Sequence, residues 1–255
     1  MSESTISVLH VDDEAPFLDL VKTYLERDDD IRVVSVSGAE EAIQKFDDEE
    51  VDCIVSDYRM PEMNGISLLN AIRSRAEDFP FILYTGQGSE EIASEAITAG
   101  VSDYVQKGRG RDHYELLIKR IKNNVSKYET EQRIQQVYEA IDAVNEGVAI
   151  CDESGTLIHV NQAYASVLGY DSCELIGEHW NILYRDNVVQ EVENGVIPEA
   201  MDAEPWMGKA RKVRKDGTEV IVENKLLFTS GGLMVCIIGD AEPADGTEPA
   251  TQATA

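Results

Sequence analysis

The chain has 255 residues, of which 22 are basic and 49 acidic, so its formal net charge is −27. Such a surface repels nucleic-acid phosphates, and no Lys/Arg cluster is large enough to bind a duplex, so we expect no direct nucleic-acid contact. No apolar run reaches the about 18 to 20 residues that span a bilayer, and no basic signal-peptide start is present, so we expect no membrane segment and a cytoplasmic protein. Acidity spread over the whole chain indicates an extreme halophile as the source, because concentrated salt screens self-repulsion.

Cysteine spacing and basic clusters add little chemistry. The four cysteines follow no metal-binding spacing, and three of them lie in apolar runs, which favours buried thiols in a reducing compartment. The richest basic stretch, Lys209–Lys215, falls inside a predicted β-hairpin, and we interpret it as a solvated strand face.

Residues 5–107 alternate between short apolar runs and helix-length segments. Strands are predicted at Ile6–Val11, Ile31–Val36, Asp52–Ser56, Phe79–Tyr84 and Asp103–Gln106, and helices at Phe17–Leu25, Ala39–Phe46, Ile66–Ile72 and Ser89–Ala99. This alternation predicts an α/β domain over residues 4–124 with a doubly wound, five-stranded parallel sheet. In such a sheet, functional groups collect at the carboxyl ends of the strands.

A helical segment follows, from Arg111 to about Ile141, with residues 125–140 as the predicted linker between two domains. Its apolar residues recur at spacings of three and four, which is consistent with pairing to a second copy of the chain. Gln132 and Gln135 interrupt the pattern, so a solvated single helix is an equally good interpretation.

Residues 141–240 form a second block with two hairpin signatures, around Asp152–Gly155 and Lys215–Gly217. Two strands, a helical stretch and three further strands predict an α+β domain with an antiparallel sheet. Residues 241–255 are rich in Pro, Gly, Thr, Ala and acids without apolar periodicity, so we expect a disordered acidic tail.

Several polar residues fall at strand ends of the first domain. Asp12 and Asp13 follow the first strand, Asp57 follows the third, Thr85 ends the fourth and Lys107 follows the fifth. Any one acid there is most simply a turn or helix-cap residue. Together, however, these carboxylates would repel each other at one edge unless a hard cation such as Mg²⁺ joined them.

Four motifs make the first domain resemble the receiver domain of two-component response regulators. They are Val11-Asp-Asp-Glu14, Asp57-Tyr-Arg-Met-Pro-Glu-Met-Asn-Gly65, Thr85-Gly86 and Asp103-Tyr104 with Lys107. The resemblance implies that Asp57 accepts a phosphoryl group from a phosphohistidine on a partner histidine kinase. It also implies that Asp13, Asp57 and the backbone carbonyl of Arg59 hold Mg²⁺, with Asp12 contacting the ion through water.

The same resemblance assigns roles to the remaining site residues. Lys107 would contact the phosphoryl oxygens, Thr85 would close on one of them, and Tyr104 would then turn inward as a switch. One position departs from the family, because Gly108 stands where a proline in a cis peptide usually follows the lysine. A non-proline cis bond costs about 2.5 to 4 kcal/mol, so we expect a trans peptide in this loop.

The second block resembles a PAS domain, a module that binds haem, flavin or metabolites in a cavity, or binds nothing and dimerises. The residues that carry this resemblance include Glu146–Ile150, Val160–Ala163, Glu174–Gly177 and Arg214–Gly217. Asn224 alternates in phase with apolar strand residues, so it is a candidate ligand contact, or else it makes a buried hydrogen bond across the sheet. The sequence does not identify a ligand.

These features favour a response regulator that passes the phosphorylation state of Asp57 to a PAS sensor or interaction domain, without a DNA-binding domain. The implied partners are a histidine kinase, a downstream signalling protein and a second copy of the chain, paired through the linker helix or the PAS domain. Such a chain would catalyse its own phosphotransfer and dephosphorylation but is no kinase by itself, so its standing as an enzyme stays open. The alternatives are a phosphorelay intermediate or phosphate sink with a docking PAS domain, and a PAS ligand sensor with a regulatory receiver.

Overall fold

The computed structural model describes residues 5–86, 90–108, 110–201, 204–244 and 251–253. Contacts divide the chain into two compact units, Met1–Ile134 and Gln135–Ala255. None of the helices within the described ranges combines the length and the apolar character needed to cross a bilayer.

The first unit alternates parallel strands with helices. Its strands are β1 (Ile6–Val11), β2 (Ile31–Val36), β3 (Cys53–Ser56), β4 (Phe81–Thr85) and β5 (Asp103–Gln106). Its helices are α1 (Ala15–Leu25), α2 (Ala39–Asp48), α3 (Gly65–Arg73), α4 (Glu90–Thr98) and the first part of α5 (Arg111–Asp142). The predicted fold class is confirmed, and the element bounds differ from the predicted ones only at their ends.

The strands of this unit pair in the order β2-β1-β3-β4-β5, and all pairs are parallel. Since β1 lies between β2 and β3, the winding of the chain reverses at β1. The crevice outside the carboxyl ends of β1 and β3 is therefore the topological switch point, where such sheets hold their functional groups.

Both faces of this sheet are covered, which explains why its strands read as continuous apolar runs. Val8 and Leu9 are neighbours on β1 that point to opposite faces, and both are fully buried. Val8 packs in the cluster that contains Leu117 and Ile121 of α5, whereas Leu9 packs in the cluster that contains Leu69 of α3. Each such side chain stabilises the fold by about 1.5 to 3 kcal/mol.

Helix α5 is one continuous helix over Arg111–Asp142. Its apolar side chains are buried in the first unit as far as Val125. Further along, Ile134, Val137 and Tyr138 are about half exposed. The two interpretations of this segment, pairing with a second copy and a solvated helix, therefore both stay open.

The second unit has six strands in its described part. They are β6 (Gly147–Cys151), β7 (Leu157–Val160), β8 (Trp206–Val213), β9 (Glu219–Phe228), β10 (Met234–Pro243) and β11 (Thr251–Ala253), paired antiparallel in the order β11-β8-β9-β10-β6-β7. Its helices are α6 (Gln162–Leu168), α7 (Ser172–Leu175), α8 (Asp186–Glu191) and α9 (Ile197–Met201), with a 3₁₀ turn at Trp180–Leu183 and a π-helical turn at Val192–Val196. The predicted α+β architecture is confirmed.

The buried side chain of Asn161 joins three elements at the start of this unit. Its Oδ1 accepts from the backbone N–H groups of Val148 and Tyr164, at 2.8 and 2.9 Å, and the second of these bonds caps α6. Its Nδ2 donates to the carbonyls of Ile141 and Glu146, both at 3.0 Å. Helix α5, strand β6 and helix α6 thus meet at one amide.

The sequence interpretation of two segments was wrong. Lys209–Lys215 is not uniformly solvated, because Lys212 lies in phase with the inward-facing Trp206 and Ala210 and is 1% exposed. The tail is not disordered throughout its described part, because β10 continues to Pro243 against β9 and β11 pairs with β8. The rest of 245–255 lies outside the described residues.

Candidate functional site

The structure brings Asp12 and Asp57 together at the switch point. Asp12 follows β1 and Asp57 follows β3, and these strands are adjacent and parallel. The backbone N–H of Asp57 donates to the carbonyl of Val11 at 2.8 Å, which continues the ladder to the strand ends. The side chains are nearly inaccessible, 1% exposed for Asp12 and 9% for Asp57.

Lys107, which follows β5, lies between these two carboxylates. Its Nζ donates to Asp12 Oδ2 at 2.5 Å and pairs with Asp57 Oδ1 at 2.9 Å. The ammonium also lies 4.2 Å from the ring centroid of Phe17, a cation–π contact from α1. One cation and two anions share the crevice, so these three groups carry a net charge of about −1.

The charges of this cluster alter each other's protonation. Burial raises the pKa of Asp12 above its usual range, although the hydrogen bond from Lys107 opposes this. Burial alone would lower the pKa of Lys107, but the hydrogen bonds to Asp12 and Asp57 outweigh it and raise that pKa. The lysine therefore keeps its proton at neutral pH.

The loop after β3 fixes the Asp57 carboxylate. Asp57 Oδ2 accepts a hydrogen bond from the backbone N–H of Arg59 at 2.7 Å, and the backbone carbonyl of Asp57 accepts one from Ser56 Oγ at 2.9 Å. Gly65 approaches this carbonyl so closely that a Cβ there would lie 2.4 Å from the oxygen. Only glycine therefore lets α3 begin at this distance from the site.

The predicted magnesium ligands are only partly assembled. Asp12 and Asp57 meet, whereas the side chain of Asp13 is exposed, and within the described ranges no group of three or more His, Cys, Asp or Glu is placed to hold a metal. The donor chemistry nevertheless fits, because the two buried carboxylates, Asp13 beside them and the nearby Arg59 backbone offer the hard oxygen ligands that Mg²⁺ prefers.

Thr85 and Tyr104 lie on neighbouring strands, as predicted. Thr85 ends β4 and is 2% exposed. The hydroxyl of Tyr104 is buried and makes no hydrogen bond to any described residue, and burial raises its pKa. Tyr104 packs against the cluster on the α3 side of the sheet. The hydroxyl of Tyr104 is thus buried in the receiver core in the unphosphorylated structure.

The sequence interpretation missed His113, a residue of α5 that contacts the loop at Gly108. The peptide between Lys107 and Gly108 is trans, as expected. The N–H of Gly108, which a proline would lack, donates to His113 Nε2 at 3.1 Å. The same nitrogen lies 2.8 Å from the hydroxyl of Tyr84, and burial lowers the pKa of His113. A neutral histidine therefore ties the lysine loop to β4.

His10 is a second residue that was missed. It is fully buried on β1, and neither ring nitrogen has a hydrogen-bond partner among the described residues. Burial first, and the charge of Lys107 second, lower its pKa from 6.5 to about 3. His10 is therefore a neutral buried side chain, and it adds no positive charge to the crevice.

In the second unit, Asn224 is 5% exposed and lines a cavity of about 30 Å³. The thiol of Cys236 donates to its Oδ1 at 2.9 Å, so the expected hydrogen bond across the sheet is present. The same cavity is lined by Lys212, which the sequence interpretation assigned to a solvated face. Its strand phase, two residues after Ala210, was the signal that could have identified it.

Comparison with known proteins places these two sites in families. A model described as a response regulator receiver domain matches residues 8–122, and one described as a PAS domain matches residues 145–240. The receiver region of the chain is homologous to response regulators. Its receiver domain precedes a PAS domain, and no DNA-binding domain is evident in the part of the chain that the structure describes.

Individual relatives share the receiver region. The response regulator SaeR of Staphylococcus aureus strain USA300 is 29% identical over 138 residues, which are 54% of this chain and 60% of SaeR. A CheY-like receiver domain protein of Methanospirillum hungatei JF-1 is 27% identical and covers 50% of this chain and 99% of its own, with a TM-score of 0.46. The receiver domain of the Francisella response regulator 1452 is 28% identical, covering 48% and 98%, with a TM-score of 0.44.

Proposed function

We propose that this chain is a response regulator in which Asp57 accepts a phosphoryl group from a phosphohistidine of a partner histidine kinase. The observation that carries the proposal is the position of Lys107 Nζ, which contacts both Asp12 and Asp57 at the switch point. A lysine held there neutralises charge on the oxygens of an incoming phosphoryl group.

In the proposed step, a carboxylate oxygen of Asp57 attacks the phosphorus. A new P–O bond forms, the P–N bond breaks, and its electron pair returns to the ring nitrogen, so a ring that carries a proton on its other nitrogen leaves as neutral imidazole. Lys107 and the N–H of Arg59 orient the carboxylate. Asp13, Asp57 and the Arg59 carbonyl would hold Mg²⁺, with Asp12 acting through water. The ion, when bound, neutralises charge on the transferring group.

The response of the protein would begin at Thr85 and Tyr104. An acyl phosphate on Asp57 adds negative charge and acceptor oxygens beside the buried end of β4. The hydroxyl of Thr85 donates to one of these oxygens, and the inward position of Tyr104 is stabilised. The surface formed by α4 and β5 then changes, and the PAS domain engages a downstream protein or a second copy of the chain in the cytoplasm.

The test is the intact mass of the full chain after incubation with acetyl phosphate and Mg²⁺ in high salt. We expect a gain of one phosphoryl group in the wild type and none in Asp57→Asn. Asp19→Asn is the matched control, because it removes the same charge from the exposed side of α1 and should be modified like the wild type. Modification of Asp57→Asn, or none of the folded wild type, would refute the proposal.

Transfer to a second protein separates this function from a phosphorelay. A response regulator should retain the phosphoryl group and change hydrogen exchange in residues 145–240. Rapid loss of the group to a histidine-containing protein, with unchanged exchange in those residues, would instead favour the relay or phosphate-sink function.

A further inference from the structure

The PAS unit contains a buried lysine that the proposed phosphotransfer does not use. Lys212 lies on β8 and is 1% exposed. Its Nζ donates to the hydroxyl of Tyr184 at 2.8 Å. The ammonium also lies 4.4 Å from the ring centroid of Tyr184 and 5.7 Å from that of Tyr164. Two phenol rings therefore enclose the charge.

The charge of Lys212 has no carboxylate partner among the described residues. Its contacts there are the hydroxyl of Tyr184 and the rings of Tyr164 and Tyr184. By contrast, Lys209 on the same strand and Lys215 in the turn after it both pair with glutamates. A buried ammonium is costly unless an anion compensates it, so an anion beside Lys212 would stabilise the charged form of this side chain.

The cavity of about 30 Å³ lies beside this charge. Its polar lining consists of Lys212, Tyr164, Tyr184, Asn224 and the thiols of Cys151 and Cys236. On the scale on which this volume is expressed, one water needs about 10 to 15 Å³, so the cavity holds a few waters or a small ion. Haem and flavin are far larger, so this cavity does not admit them without repacking.

The hydrogen bonds around the cavity favour a negative occupant. Tyr184 uses its oxygen as the acceptor for Lys212, so its hydroxyl proton is left to donate. The acceptor most able to repel an anion, Asn224 Oδ1, is occupied by the thiol of Cys236. The wall on the helical side includes Val192 and Val196, the two ends of the π-helical turn. Such turns are frequent at functional sites.

We propose that the PAS cavity is a binding site for a compact monovalent anion, a halide such as chloride, held by Lys212 Nζ and the hydroxyl of Tyr184. The small volume excludes large ligands, and the single ammonium of Lys212 favours a single negative charge. This proposal does not depend on phosphorylation of Asp57, because its residues all belong to the second unit.

Tryptophan fluorescence can report binding from this unit alone. The chain has two tryptophans. Both Trp180 and Trp206 are buried in the PAS core, and Trp180 lines the cavity. The full chain would be dialysed into sodium gluconate, whose anion is too large for the cavity. Gluconate would then be replaced stepwise by chloride, bromide or formate at constant ionic strength.

We expect a saturable fluorescence change with chloride and stronger quenching with bromide, and a saturable rise of about 2 to 5 °C in the unfolding midpoint of the PAS unit. A response to formate but to neither halide would overturn the halide assignment, because it would indicate a carboxylate site. A fluorescence response that is strictly linear in all three anions, and the same as in gluconate controls, would overturn the proposal entirely.

Two strand-matched variants identify the charge responsible. Lys212→Met should abolish the saturable response, whereas Lys209→Met removes the same charge from an exposed position of β8 and should keep it. Tyr184→Phe retains the ring and should weaken chloride binding by about tenfold, the loss of one hydrogen bond to a charged group. If Lys212→Met fails to fold, the chloride responses of Tyr184→Phe and Lys209→Met still test the site. An equal response in these two variants would refute the site.

Discussion

Two lysines of this chain, Lys107 with 14% of its side chain exposed and Lys212 with 1% exposure, have opposite surroundings. Lys107 in the receiver lies between Asp12 and Asp57, whereas the contacts of Lys212 within the described part of the PAS unit are with two phenols. The receiver crevice therefore carries one negative charge in excess, and the PAS cavity one positive charge. This difference underlies the two proposals, a cation and the electrophilic phosphorus at the first site and an anion at the second.

The largest expected effect is a difference in the free energy of unfolding between variants of the two lysines. Lys107→Met leaves two buried carboxylates without their cation and should destabilise the receiver by about 3 kcal/mol. Lys212→Met replaces an uncompensated charge by an apolar side chain, so it should be neutral or stabilising in gluconate. Urea unfolding followed by tryptophan fluorescence for the PAS unit, and by hydrogen exchange for the receiver, measures both.

Added Mg²⁺ is the control for this pair. It should recover part of the stability of Lys107→Met, because a divalent cation can replace the ammonium between the carboxylates, and it should leave Lys212→Met unchanged. Equal destabilisation by both variants would contradict the contrast between the two sites.

The geometry of the Asp57 loop gives the next largest effect. Gly65→Ala would place a Cβ 2.4 Å from the Asp57 carbonyl oxygen and 2.8 Å from Leu83 Cδ2. We expect a loss of about 2 kcal/mol of stability, as for other overpacked sites, and slower phosphorylation of Asp57. Gly38→Ala is the matched control, because its Cβ would meet nothing within 4 Å. Similar losses in both variants would show that the close approach is unimportant.

The link between Gly108 and His113 predicts a smaller, non-additive effect. A Cβ on Gly108 would lie 2.6 Å from the His113 ring, so Gly108→Ala should be destabilising. His113→Ala removes the ring that this Cβ would meet, so Gly108→Ala should destabilise the His113→Ala variant less than the wild type, with a coupling energy of about 1 kcal/mol. A double-mutant cycle in urea measures this coupling, and strictly additive losses would count against the link.

A third lysine with two carboxylates tests the role of burial. Lys122 pairs with Asp28 and Asp30 at 2.8 Å each, but on the surface. The hydrogen bond from Lys122 lowers the pKa of Asp28 below its ordinary value. The stability from this pair is therefore present above the unfolded pKa of about 3.9 and lost as the pH falls through the folded pKa.

Asp28→Asn should consequently destabilise the fold by only about 0.5 kcal/mol at pH 7, and the difference should disappear in acid. High salt should reduce the difference further, because these groups are exposed. Urea midpoints at several pH values measure it. A loss as large as that of Lys107→Met would mean that burial does not control the strength of these clusters.

The receiver was more predictable than the PAS cavity, for physical reasons. Strand ends in a parallel sheet meet at one edge, so alternation alone placed Asp12, Asp57 and Lys107 together. The contacts of Gly108 with His113 depend on how α5 packs, which periodicity does not specify. Lys212 had the phase of a buried residue, but its charge argued for solvent, and only the surrounding tyrosines overcome that preference.

The amide of Asn161 has a practical consequence for building chimeric proteins. Its four hydrogen bonds include one to the carbonyl of Ile141, inside the last turn of α5. A fusion junction placed after Ile141 would make this bond depend on a foreign segment, which must continue as a helix to present a backbone carbonyl at the same place. A chimera that contains the PAS unit should therefore keep the C-terminal end of α5, with the fusion junction placed upstream of it, near the unit boundary at Ile134.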